Sequence, residues 1–241
     1  MYTIIGNGRL AQHFCHYFDL LNIPYLHWHR NSVESLASRI QTSTHILLLI
    51  SDKNIDQFIL THQTLFAERT IIHCSGSLIS VNAYTAHPLM TFSHELYTLS
   101  EYLEIPFVIE KEGPTFAELL PGLTNPHFVI PREDKMYYHA LCVMANNFST
   151  LLWQKFFNEM QNKFNIPKEA GLPYLKHTFN NIKKNHQTAL TGPLSRGDEQ
   201  TLQNDLNALN GDAFVTVFQS FIDAYKRGQY EDTRLLTEKT S

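Results

Sequence analysis

The chain predicts an α/β architecture: a doubly wound sheet in the amino-terminal part followed by an all-α carboxy-terminal part. Three observations carry this expectation. Short apolar runs at 2–5, 24–28, 44–50 and 70–73 alternate with segments of helical period. The carboxyl ends of these runs hold glycine and polar residues, as in Gly6-Asn7-Gly8, Ser51-Asp52 and Ser75-Gly76-Ser77. Past Pro131-Arg132-Glu133-Asp134 a period of about 3.6 residues takes over, with Leu141, Ala145, Phe148, Leu152, Phe156 and Met160 on one stripe. Two domains are expected, 1–132 and 133–241.

The first strand runs into Gly6-Asn7-Gly8-Arg9-Leu10-Ala11, and a helix follows to about Leu21. The small residues each have a mechanical reason. Gly6 permits the tight turn, Gly8 without a Cβ lets a pyrophosphate approach the backbone, and Ala11 lets the helix pack closely on its strand. The unpaired N–H groups and partial positive charge of the helix start favour that anion. The second strand, 24–28, ends in His29-Arg30-Asn31-Ser32, with no carboxylate before Glu34 to accept bonds from ribose hydroxyls. An arginine there suits a 2′-phosphate through a bidentate contact, so NADP is expected over NAD. The plainer alternative is a solvated Arg30 and a helix-capping Ser32.

A weak helical period covers 33–40, and 44–50 reads as a strand buried on both faces. Ser51 and Asp52 would then face the cofactor crevice, although a helix cap is the favoured reading of Asp52. A helix is expected over 55–66 and a strand over 70–73, leading to Ser75, a further cofactor contact, and to Gly76 and Ser77, which offer substrate contacts. His87-Pro88-Leu89 is placed in a loop where the crevice should open. Strands at 106–109 and 127–130 flank a short helix begun by Pro114. The helical part should contain one long helix at 133–164, a turn at Asn165-Ile166-Pro167, a helix at 168–190, an interruption at 191–198, and helices at 199–209 and 212–227. Asp198 and Asp212 are the expected caps, and the tail after Tyr230 is expected to fray.

A net charge of −4 with no basic tract disfavours nucleic acid and anionic membranes as partners. Cys15, Cys74 and Cys142 have neither metal nor CxxC spacing and sit in apolar segments. They imply reduced, buried thiols in a cytoplasmic protein, and no metal is expected. The start of the sequence reads as lacking a signal peptide. The longest apolar run, 46–50, is too short to span a bilayer.

The glycine turn, the basic end of the second strand, Ser51-Asp52, Ser75-Gly76-Ser77, His87-Pro88-Leu89, Asn146-Asn147-Phe148 and Thr191-Gly192-Pro193…Arg196-Gly197-Asp198 together resemble one group of proteins. These are Rossmann-like proteins with a DUF2520-type helical carboxy-terminal domain, assigned as NADP-dependent oxidoreductases. More distantly the layout is similar to the 6-phosphogluconate dehydrogenase-like superfamily, including ketopantoate reductase and pyrroline-5-carboxylate reductase. The resemblance implies a Rossmann domain, a helical domain that forms homodimers, and a pocket between them for a small-molecule substrate.

Hydride delivery to a carbonyl needs a group that protonates the developing alkoxide. In the similar dehydrogenases a lysine does this from the first helix of the second domain, with an asparagine one turn later. If Asn147 matches that asparagine, the lysine position falls on Val143, which has no proton to give. His139 is one substitute, because 139, 143 and 147 lie a turn apart on one stripe; His87 is the other. Thr191 and Arg196 are the expected substrate contacts of the helical part, with Arg196 suited to a carboxylate or phosphate. An NADP-dependent oxidoreductase acting on a small anionic substrate is the leading reading. A non-catalytic NADP-binding sensor or scaffold is its rival.

Overall fold

A computed structural model describes residues 1–238, with side chains through residue 228. The chain divides into two compact units, Met1–Lys155 and Phe156–Ser241.

In the first unit β1 (Tyr2–Ile5) leads to α1 (Arg9–Leu21), β2 (Tyr25–Trp28), α2 (Leu36–Ile40), β3 (His45–Leu48), α3 (Ile55–Thr61), α4 (Gln63–Phe66) and β4 (Thr70–His73). Then come β5 (Tyr84–Pro88), α5 (Leu99–Glu104), β6 (Phe107–Glu110), α6 (Phe116–Leu119) and β7 (His127–Ile130). The strands form one seven-stranded sheet in the order β2-β1-β3-β4-β5-β6-β7. Pairing is parallel except between β5 and β6, where Ala86 faces Ile109. The order reverses beside β1, which places the Gly6–Gly8 turn at the switch point where such sheets open a crevice.

Both faces of the sheet are covered, as the near-continuous apolar strands require. Ile4, Leu47 and Ile72 pack with Phe14, Phe18, Tyr102, Phe107 and Phe116 on one side. Their neighbours Ile5, Ile46, Leu48 and Ile71 pack with Ile40, Ile55, Ile59 and Phe66 on the other. The successive residues of each strand thus feed opposite cores.

Several expectations are corrected. The 33–40 helix begins only at Leu36, capped by Ser35 rather than Ser32. The 55–66 helix breaks at His62. Pro114 precedes α6 instead of opening it, since Thr115 and Glu118 form a capping box. His87 lies within β5, not in a loop. The first helix does stop at Asn22, which takes the left-handed conformation at φ 54°. Only Cys74 of the three free thiols is buried; Cys15 and Cys142 are partly exposed.

The long helix expected over 133–164 is composite. A 3-10 turn at Arg132–Asp134 precedes α7 (Lys135–Cys142), a π-helical stretch spans Val143–Phe148, and α8 (Ser149–Asn162) follows. The hydroxyls of Ser149 and Thr150 donate back to Ala145 O and Asn146 O at 2.6 and 2.7 Å, serving carbonyls that the wider turn offers. His139 lies in α7, whereas Val143 and Asn147 lie in the π-helical stretch.

Continuing past α8, the second unit holds α9 (Lys168–Lys184), α10 (Pro193–Arg196), α11 (Glu199–Ala208) and α12 (Val215–Glu238). Helix α9 stops at Lys184, short of Leu190, where Asn185 turns extended. Asp198 caps α11 by accepting from Thr201 N–H at 3.1 Å. Asp212 accepts from Phe214 N–H at 2.8 Å in the turn before α12, which starts at Val215 rather than Asp212. Helix α12 continues past Tyr230 to Glu238; the end of the expected frayed tail lies outside the described residues.

Candidate functional site

The glycine turn opens onto a cavity of about 1060 Å³ lined by Gly6, Asn7, Gly8, Arg9, Leu10, Arg30, Asn31 and Ser51. Gly6 sits at φ 132°, and a Cβ there would lie 2.1 Å from Leu49 O. Its N–H donates to Trp28 O at 2.9 Å, and its carbonyl accepts from His27 Nε2–H at 2.6 Å. Gly8 is the opposite case. It is extended at φ −77°, and nothing lies within 4 Å of the position its Cβ would take. No side chain caps the start of α1, so the first N–H groups of that helix remain available to an anion. Ala11 is fully buried in the core beneath the turn.

The far end of the cavity was not legible in the sequence. Trp28, Gln57, Phe58 and Thr61 line it, and Phe92 contributes another part of its wall. Gln57, Phe58 and Thr61 share one face of α3 by helical spacing, a signal that the apolar period of the segment masked. Ser32 stands apart from the lining: its hydroxyl accepts from His29 N–H at 3.0 Å and fixes the turn that carries Arg30. Asp52 and Ser75 also stand apart. Ser75 Oγ donates to Asp52 Oδ2 at 2.5 Å, joining the loops after β3 and β4, so the side chain of Asp52 makes no helix cap. The Ser75 hydroxyl also accepts from the N–H groups of Ser77 and Leu78.

Gly76, His87 and His139 come together. A Cβ on Gly76 would lie 2.4 Å from His139 Cδ2 and 3.0 Å from His87 Nε2. His87 Nδ1 and the Tyr138 hydroxyl are 2.8 Å apart. With the hydroxyl donating, His87 is neutral and carries its proton on Nε2, on the side of Gly76 and His139. Burial, helped by His139 and Lys135, lowers its pKa to about 4. Burial and Lys135 likewise hold the His73 imidazole neutral, also at about 4. Asn147 is exposed in the π-helical stretch, and Thr191 and Arg196 are exposed in the second unit.

Beneath this cluster runs a buried polar network with no local signal in the sequence. Lys135 Nζ lies 3.0 Å from Glu110 Oε1 and also donates to Leu78 O and Thr85 Oγ1. Arg132 Nε donates to Glu110 Oε2 at 2.8 Å. Burial alone would raise the Glu110 carboxyl, but Lys135, Thr85 and Arg132 outweigh it and hold the group below the usual carboxylate range.

The sheet order, the switch-point cavity and the helical second unit define a Rossmann-type α/β protein with an all-α carboxy-terminal part. The chain belongs to the family described as a domain of unknown function, DUF2520, which matches residues 105–226. No curated protein matches it in sequence. Among solved structures it is similar to a Bacteroides fragilis protein assigned as an NADP oxidoreductase, at 20% identity and a TM-score of 0.71 over 93% of this chain and 96% of that one. Protein TM1727 from Thermotoga maritima matches at 19% identity and a TM-score of 0.69, over 97% and 100% of the two chains. An imine reductase from Myxococcus stipitatus in complex with NADP+ matches at 10% identity and a TM-score of 0.66, over 96% and 94%. At these identities the likeness is one of fold.

Proposed function

We propose that this protein is an NADP-dependent oxidoreductase acting on a small, anionic substrate. The observation that carries the reading is the bare Gly8 turn opening onto a cavity that Arg30 also lines. Gly8 and the first N–H groups of α1 would hold the pyrophosphate, and Arg30 with Asn31 would hold the 2′-phosphate. Bound NADPH supplies a hydride. With the Tyr138 hydroxyl donating to Nδ1, His87 would carry its proton on Nε2 beside Gly76 and would direct that N–H as a hydrogen-bond donor to the substrate atom on which negative charge develops. Thr191 and Arg196 are the proposed anion contacts of the helical unit. The three free cysteines fit a reducing, cytoplasmic setting.

Arg30→Ala separates the 2′-phosphate reading from that of a solvated loop residue. NADPH affinity should fall roughly 10- to 100-fold, the worth of a lost charge-assisted pair, while NADH affinity stays within about threefold. Equal losses by calorimetry would remove the phosphate clamp. Turnover of NADPH against keto acids, imines and aldehydes then separates enzyme from sensor: binding with no turnover across the panel favours the sensor.

We further propose that the chain works as a homodimer. Leu202 and Ile222 are the buried apolar residues among the described part of the second unit, whereas Phe164, Leu172, Leu190 and Phe221 are exposed there. A partner copy covering these side chains would bury them. Light scattering should return twice the 27.9 kDa chain mass; a monodisperse monomer at micromolar concentration would refute the dimer.

A further inference from the structure

We propose that Lys135 is the positioning residue of the Gly76, His87, Tyr138 and His139 cluster, a single buried ammonium tying together the three elements that carry it. This rests on reading that cluster as the proton-donor site.

The geometry is specific. Lys135 is 1% exposed, and its three ammonium protons have three acceptors. Leu78 O belongs to the turn after β4, two residues beyond Gly76. Thr85 lies on β5 two residues before His87, so both side chains stand on the same face of that strand. Glu110 ends β6, the antiparallel neighbour of β5, and also accepts from Thr85 Oγ1 at 2.9 Å. Lys135 itself opens α7, with Tyr138 and His139 one turn further on the same helical face. The ammonium therefore fixes α7 against both the Gly76 turn and β5, the three places from which the cluster is assembled. The tolerance is small, since even a methyl group on Gly76 would collide with the His139 ring. A buried lysine so engaged has no proton free to deliver. Its role is to hold the groups that do, and to keep a positive charge behind His87.

Lys135→Met keeps the stem and removes the charge. The probes are the histidine side-chain NMR titration and NADPH binding by calorimetry. The expected result is a His87 midpoint that rises from about 4, with NADPH affinity within about threefold, since Lys135 does not line the dinucleotide cavity. An unchanged His87 midpoint in a folded variant would overturn the proposal and leave Lys135 a packing residue. Should the single variant not fold, Lys135→Met with Glu110→Gln, which also removes the stranded carboxylate, carries the same readout. If neither folds, Lys135 is a stability element and the proposal fails. A wild type that binds no NADPH would sink the dinucleotide reading without touching the titration result, so the two failures are distinguishable.

Discussion

Gly6→Ala should cost on the order of 3–5 kcal/mol of folding stability, whereas Gly8→Glu, two residues away, should cost nearly none and abolish dinucleotide binding. The contrast follows from what each missing side chain would meet. At Gly6 a Cβ lies 2.1 Å from Leu49 O, a backbone atom, and the residue is at φ 132°. Leu49 cannot retreat, because its N–H donates to Ile5 O at 2.7 Å and β1 and β3 are in register beside it. Strain and overpacking therefore add. At Gly8 the backbone is extended and the space is open, so a larger residue fits the apo fold without clash. Glutamate there places bulk and negative charge where the pyrophosphate should approach, and NADPH affinity should fall at least about 100-fold, or ~2.7 kcal/mol. Urea denaturation and calorimetry on both variants check the pair of claims. Comparable destabilisation by both, or undiminished NADPH binding by Gly8→Glu, would contradict them.

Stability should fall by roughly 3 kcal/mol between pH 7 and pH 5. His73 and His87 are held neutral, each with its pKa lowered from 6.5 to about 4, by burial first and by neighbouring positive charge second. A histidine with a depressed folded-state pKa stays unprotonated in the native chain, while its unfolded counterpart takes up a proton below pH 6.5. Acid therefore pulls toward the unfolded state across the window from about 6.5 to 4. Glu110 acts later: its carboxyl is held low, so its pairing with Lys135 and Arg132 is lost only below the ordinary carboxylate range. Urea midpoints at pH 7 and pH 5 read the first effect. A stability that is flat or rises toward pH 5 would show that neither imidazole is held neutral.

The phosphate-binding end of the site was legible because its chemistry is local. Gly6, Gly8 and Ala11 each answer to one steric demand, and those demands are met within a single turn. The strands were legible where they are apolar throughout, as at Ile46, Leu47 and Leu48. Strand β5 was not, because Thr85 and His87 point polar groups into a buried network that only long-range pairing creates. Helix α5 was missed although Thr98 and Glu101 form its capping box, a signal present in the sequence but outweighed by polar neighbours. The π stretch at Val143–Phe148 left no trace in a 3.6-residue stripe. Lys135 was hidden for the same reason as β5: nothing near it in sequence shows that Glu110, Thr85 and Leu78 O converge on its ammonium.

The central claim is that the cavity under the Gly6–Gly8 turn holds NADPH. Calorimetric titration of NADPH and of NADH into the folded full chain tests it most directly. The account predicts one site per chain, with NADPH bound at least about tenfold more tightly than NADH. Folded protein that releases no heat with either nucleotide at saturating concentration would contradict it.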